Sequence, residues 1–299
     1  ARKFPYLCPT KHTPNMKPQT VHAVVFSPTG TSKKIASAVA RGIVSAAGAD
    51  PAEAAPLKTL DLTHTAGQPA TLPADAVAVI AAPVYGGHVA PTAVKRLEKL
   101  RGEGTPAVVI AVYGNRAFEH AVTELAALAA RQGFVPVAAA AFVGEHSYST
   151  PETPVAAGRP DAQDLAEAAA FGAAVRKKLD AGDLTPVDAA KLKEVRTPLW
   201  PMLRFIRFVL GYRRRQKKNP VVYLPAGDAD LCTHCGRCAA ICPTQAIARG
   251  DEVHTDPARC IRCCTCVKAC PVGARSFHTP FAAALSRSFT RRKPPVTRL

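Results

Sequence analysis

The sequence predicts an α/β protein, a doubly wound five-stranded parallel sheet followed by a small α+β domain built around cysteines. Three observations carry that prediction. Short apolar runs alternate with helix-forming stretches from about residue 21 to residue 179. Nine of the ten cysteines crowd into residues 232–270. Between the first apolar run and the first helical stretch lies a hydroxyl-rich loop, "SPTGTS", beginning at Ser27. At 299 residues the chain is long enough for about two domains. We divide it into an N-terminal arm (1–20), a nucleotide-type α/β domain (21–185), a basic and apolar linker (186–224), a cysteine domain (225–280) and a basic C-terminal tail (281–299).

The arm "ARKFPYLCPTKHTPNMKPQT" has basic residues and prolines but no continuous apolar region of the secretory kind. It holds Cys8, whose thiol nothing local activates. Val21 to Phe26 is the first strand. Ser32 to Ala47 is a helix with Ile35, Val39, Ile43 and Val44 on one face. Leu57 to Leu62, Val77 to Ala82, Ala107 to Val112 and Pro136 to Val143 supply the other four strands, and Thr92 to Leu100, Ala117 to Arg131 and Ala162 to Leu179 the other helices. This alternation argues a parallel sheet wrapped on both faces. The longest apolar stretch, Val77 to Val84, is far short of the roughly 18 residues of a bilayer span. The chain reads as soluble and cytoplasmic.

The loop at Ser27 offers four hydroxyls (Ser27, Thr29, Thr31, Ser32) and Gly30 where a helix N-terminus favours an anion. It is neither a Walker loop nor a GxGxxG dinucleotide fingerprint, and it suits a phosphate monoester. An ordinary N-cap cluster is the bland alternative. "PVYGGH" at Pro83 and "YGNRAFE" at Tyr113 follow the third and fourth strands. In a 2-1-3-4-5 order all three loops border one crevice at the switch point. "GEHSYS" after the fifth strand brings Glu145, His146 or Ser147 to its rim. No nucleophile and base are paired by spacing, so no catalytic residue is assigned.

The cysteines repeat a rhythm. Cys232, Cys235, Cys238, Cys242 and Pro243 recur as Cys260, Cys263, Cys266, Cys270 and Pro271 at a constant offset of 28. This is the bacterial C-x2-C-x2-C-x3-C-P run in duplicate, which holds two [4Fe-4S] clusters with crossed ligation. By that rule one cluster takes Cys232, Cys235, Cys238 and Cys270, and the other Cys260, Cys263, Cys266 and Cys242. Zinc needs only four ligands and has no use for the third cysteine of each run. Disulfides are disfavoured because the first 231 residues hold a single cysteine. Cys264 breaks the two-residue gaps and reads as a small packed residue.

On "FSPTGTSKKIA", "PVYGGHVAPTAVKRL", "VYGNRAFE", "GEHSYS" and the paired cysteine runs, the chain from about Val21 to about Pro280 resembles the fused flavodoxin–ferredoxin proteins. The resemblance implies a flavodoxin-like sheet, a two-cluster ferredoxin domain and FMN as cofactor. It implies that Ser27, Thr29, Gly30, Thr31 and Ser32 hold the FMN phosphate. Pro83, Tyr85, Gly86 and Gly87 would line one side of the ring, and Gly114, Asn115, Arg116 and Phe118 the other. Flavodoxins commonly place Asn where Thr31 stands here. An anaerobic setting is a further implication.

Charge is uneven. Residues 186–299 carry 21 Lys and Arg against 7 Asp and Glu, whereas residues 1–185 carry 18 against 15. The excess gathers in "YRRRQKKNP" and "RRKPPVTR", outside the cysteine block. Thr197 to Lys218 combines apolar residues with the first of these runs. It reads as an apolar bridge between domains, or as an amphipathic basic helix on an anionic membrane. A redox partner protein with an acidic docking surface fits the charge. Nucleic acid does not, for want of a recognition fold. The functional expectation is an electron-transfer protein converting between two-electron and one-electron steps. The alternative is a flavin-dependent reductase of a small substrate with the clusters as its electron supply.

Overall fold

The fold is that of a computed structural model describing residues 17–45, 55–64 and 69–299. Cys8 and most of the expected N-terminal arm lie outside the described residues. In chain order the first half forms β1 (Thr20–Val25), α1 (Thr31–Val44), β2 (Leu57–Asp61), β3 (Ala70–Leu72), β4 (Ala76–Tyr85), β5 (His88–Val89), α2 (Pro91–Leu97), β6 (Leu100–Gly102), β7 (Pro106–Tyr113), α3 (Ala121–Arg131), β8 (Val135–Val143) and α4 (Ala162–Asp180). The second half adds α5 (Leu199–Lys218), β9 (Ala226–Gly227), α6 (Arg237–Ala240), α7 (Thr265–Lys268), β10 (Arg275–Ser276), α8 (Pro280–Ser288) and β11 (Val296–Arg298).

Five strands pair in parallel in the order β2-β1-β4-β7-β8. Counting those five alone gives the 2-1-3-4-5 doubly wound order, with its switch point between β1 and β4. Helices cover both faces, so β4 and β7 read as almost unbroken apolar runs. On one face Ile35, Val39 and Ile43 of α1 meet Phe171, Val175 and Leu179 of α4. Each such fully buried side chain stabilises the fold by about 1.5–3 kcal/mol. A Cβ at Gly42 would lie 2.0 Å from the Ala169 carbonyl oxygen, so glycine lets these two helices touch backbone to backbone. On the other face Leu97, Leu125 and Leu128 pack over Ile80 and Val109.

Two expectations needed revision. The helix placed at Ala117 begins at Ala121. The Phe118 and Glu119 N–H groups go to the Glu194 carboxylate instead of to a first helical turn. Residues 281–299, read as a tail, are folded. They form α8 and β11, and β11 pairs antiparallel with the outer edge of β8 (Val296↔Ala141, Arg298↔Ala139). The sheet thus has seven strands, counting β11 and the two-residue β5 hairpin partner of β4. The basic run before β11 is anchored. Arg292 pairs with Asp161 and Asp164, and Lys293 is buried with its Nζ on the Arg116 carbonyl.

The linker is also ordered. Phe205 of α5 packs with Leu285 and Phe289 near α8 and with Val155 from the loop before α4. Phe208 and Tyr212 meet Phe281 edge to face, with ring centroids 5.0 and 4.9 Å away. This aromatic seam joins the two halves of the chain.

Candidate functional site

The loop after β1 turns through Gly30, which caps α1 with φ 83° and no side-chain cap. The Ser27 N–H donates to Thr63 Oγ1 at 2.8 Å, and the Lys33 N–H donates to Ser27 Oγ at 3.0 Å. Ser32 is fully buried and its hydroxyl has no partner among the described residues. The first turn of α1 has no acidic residue, so the free N–H groups and the unpaired hydroxyl present a site for an anion.

The second loop is a tight hairpin. Gly86 and Gly87 take φ 62° and 95° between Tyr85 and His88, the turn geometry that favours glycine at both central positions. The third loop runs from Tyr113 to His120, and the fourth follows β8 with Glu145, His146 and Tyr148. The His146 ring lies against Gly114, where a Cβ would approach it to 2.3 Å. The His146 Nδ1 accepts the Tyr148 N–H at 3.0 Å, which leaves any proton of the neutral ring on Nε2. Burial, with Lys268 and Arg116 nearby, lowers the His146 pKa to about 4. The ring is therefore neutral at pH 7, a hydrogen-bond donor rather than an acid. Burial also pushes the Tyr148 phenol up to about 12 and raises Tyr85 well above its ordinary value.

These loops enclose a cavity of about 760 Å³. Ser27, Thr29, Thr31, Ser32, Pro83, Tyr85, Gly86, Gly114 and Arg116 line it, as the sequence led us to expect. Gly30 shapes the loop from the cap position. Three expected residues stand off the wall. Gly87 backs onto Glu119. Phe118 is buried in the core, its ring edge-on to Tyr113 at 5.5 Å. Asn115 turns away from the crevice: in left-handed conformation (φ 63°), its Nδ2 donates to the carbonyls of Phe289 (2.7 Å) and Arg291 (2.9 Å). Its Oδ1 is buried without a partner among the described residues.

The cavity does not end at the α/β domain. Its far wall is Phe205, Val209 and Tyr212 of α5, Tyr223, Phe281 and the stretch Ile261 to Cys263. Tyr148 was not singled out from sequence, whereas the far wall includes Cys263, read there as a cluster ligand, and α5 residues from the segment read as an apolar bridge between domains. The aromatic residue of "GEHSYS", placed after a sheet strand, was the available signal for Tyr148. The wall is pinned where the halves meet. Thr265 Oγ1 donates to the Pro28 carbonyl at 2.7 Å, Lys268 pairs with Glu145, and Arg96 donates to the Pro243 carbonyl.

The cysteine loops repeat in backbone as well as in sequence. His234 and Arg262, Gly236 and Cys264, and Gln245 and Gly273 are three pairs offset by 28, and all six residues have positive φ. Gly236 and Cys264 are the N-caps of α6 and α7, and these short helices carry Cys238 and Cys266. Cys264 therefore takes the place of Gly236 in the second repeat and is a packed residue, 2% exposed. No three His, Cys, Asp or Glu side chains among the described residues converge on one point. Thiolates that each cap a separate iron of a cluster need no such convergence.

Residues 231–274 match the 4Fe-4S dicluster domain. An uncharacterized ferredoxin-like protein of Haemophilus influenzae is 42% identical over 48 residues, 14% of this chain and 56% of that protein, so the match spans about half of the relative's length. Among solved structures, a flavodoxin from the domain Archaea is 15% identical over 54% of this chain and 98% of its own, with a TM-score of 0.34. The flavodiiron protein of Giardia intestinalis is 16% identical over 57% and 39%, also with a TM-score of 0.34. The strand order carries the fold assignment. The chain joins a flavodoxin-like α/β fold to a C-terminal segment that matches the 4Fe-4S dicluster domain.

Proposed function

We propose that the chain relays electrons between FMN in the crevice and two [4Fe-4S] clusters in the cysteine loops, serving redox partner proteins. One observation carries this reading: Cys263 lies on the wall of the same cavity as the Ser27, Tyr85 and Gly114 loops. When bound, FMN supplies two-electron chemistry and each cluster one-electron chemistry. The unpaired Ser32 hydroxyl and the N-terminus of α1, which has no acidic residue in its first turn, suit the phosphate, and the slot between Tyr85 and Gly114 suits a flat ring. The chain's own work is to position: Thr265 and Lys268 hold the second cysteine loop against the crevice, and Arg96 holds the end of the first at Pro243. The cluster of Cys260, Cys263, Cys266 and Cys242 is the one beside the flavin. The cluster of Cys232, Cys235, Cys238 and Cys270 faces outward, where Cys235 is exposed beside Arg237 and an acidic partner surface would dock.

An anaerobic reductive titration followed by visible spectrum tests the proposal. Four electrons per chain, two with flavin bands and two with cluster bands, support it. Two electrons without flavin bands overturn it.

The extension of the cavity under α5 favours a second reading, reduction of a small substrate at the flavin. Its volume of about 760 Å³ lies in the upper half of the roughly 300–1,000 Å³ range of ligand pockets. The neutral His146 would orient such a substrate and not protonate it. Faster reoxidation of the reduced protein by small acceptors than by acidic redox proteins would favour this reading over the relay.

A further inference from the structure

α5 has two faces. Phe205, Phe208, Val209 and Tyr212 turn inward to the aromatic seam and cavity. The opposite face carries Leu199, Leu203, Ile206 and Leu210, spaced three or four residues apart, with exposures of 68, 43, 44 and 52%, and beside Leu199 lies Trp200, 79% exposed. Apolar residues scattered singly on a surface need no explanation, but a contiguous stripe does. Val221 and Val222, just beyond the helix, are exposed as well.

The charge around the stripe has one sign. The helix holds Arg204, Arg207, Arg213, Arg214, Arg215, Lys217 and Lys218 and no acidic residue. Arg204 and Arg207 border the stripe, while Arg214, Lys217 and Lys218 continue the same face through the last two turns. Among the described residues none of these seven cations pairs with a carboxylate. Among the described residues no helix is long and apolar enough to cross a membrane.

We propose that the outer face of α5 docks on an anionic lipid bilayer, lying in the plane of the interface. Leucine and isoleucine side chains would enter the acyl boundary, Trp200 would sit at headgroup level, and the guanidinium and ammonium groups would meet lipid phosphates. A second copy of the chain would set the five cations of this face against five, so charge opposes self-association through it. A single convex helix also offers no concave pocket for a protein anchor, whereas a bilayer needs none. The docking face is opposite to the one that closes the cavity, so bilayer contact leaves the site covered.

The chain has one tryptophan, Trp200, so its emission reports on this face alone. The full, cofactor-loaded protein is mixed with vesicles of phosphatidylcholine, or of the same lipid with a third replaced by phosphatidylglycerol. Co-sedimentation and Trp200 emission are followed. The expected result is binding to the anionic vesicles with a blue shift of the emission, both suppressed by high salt. Reversing Arg214, Lys217 and Lys218 to Glu lowers binding about a hundredfold or more, at about fivefold per cation near an anionic surface. L203S with L210S lowers it at least about tenfold, since each lost apolar side chain weakens insertion. Both variants should keep the wild-type cofactor spectrum, because the altered side chains are exposed. Absence of binding to anionic vesicles, or equal salt-independent binding to neutral ones, overturns the proposal. So does a dimer in sedimentation that L203S with L210S dissolves, or an acidic redox protein that needs this face while vesicles are ignored.

Discussion

Asn115 separates two accounts of the third loop. If its side chain lined the flavin ring, replacing it would weaken FMN binding and leave stability alone. The structure places it outward, holding residues 289–291 against the loop by two hydrogen bonds of 2.7 and 2.9 Å. Asn115→Ala removes both, at about 1 kcal/mol each. It also puts alanine in the left-handed region at a further cost of about 1 kcal/mol. The sum is about 3 kcal/mol, which lowers Tm by about 6–12 °C. Asn115→Gly restores the backbone freedom but not the hydrogen bonds, and should regain about a third of the loss. Thermal unfolding and flavin fluorescence titration are measured on the same preparations, with FMN affinity expected to change by less than about threefold. If Asn115→Ala melts within about 2 °C of wild type while FMN affinity falls more than about tenfold, the reasoning is refuted.

Three other outcomes are expected. Cys264→Gly should leave the iron content and both cluster spectra unchanged, because glycine already serves at the equivalent Gly236, whereas Cys263→Ala should lose about half the iron. Thr265→Val with Lys268→Ala unfastens the second cysteine loop from Pro28 and Glu145. Stopped-flow should then show flavin-to-cluster exchange slowed about tenfold or more with cofactor content intact, as expected for misplacement on the ångström scale. Unfolding midpoints in urea should fall as pH drops from about 6.5 toward 4. Across that window the unfolded chain protonates His146 and the folded one, with a pKa of about 4, does not. Glu145, lowered by Lys268 and the Gly158 N–H, adds its own loss only below its ordinary 4.5, so His146→Leu should flatten the upper part of the window.

The parallel sheet was legible because burial on both faces writes itself as runs such as "AVAVIAA", and β4 and β7 lie where those runs lie. The cysteine module was legible for a different reason: ligand spacing is a local constraint that tolerates little drift. Residues 281–299 were not legible. Their charges read as solvated, yet Arg292 and Lys293 find partners at Asp161 and the Arg116 carbonyl, far away in sequence. Asn115 misled for a related reason. A glycine-bounded loop shows that a backbone turns, but not which way one side chain points once a distant segment offers two carbonyls. The far wall of the cavity depends on α5 folding over the crevice; its apolar pattern suggested a bridge between domains, but not which surface the helix would cover.

The pairing of β11 with β8 bears on how the protein is made. The two strands are separated by α4, α5 and the whole cysteine module, so while the chain is being synthesised β8 waits as an uncovered sheet edge. Such an edge is a template for wrong strand partners until its own strand arrives. During the same interval α8 has not yet packed on α5, and the crevice lacks part of its far wall. The cofactors proposed above would then meet an open crevice, and the order of their loading would be a matter of translation as well as affinity.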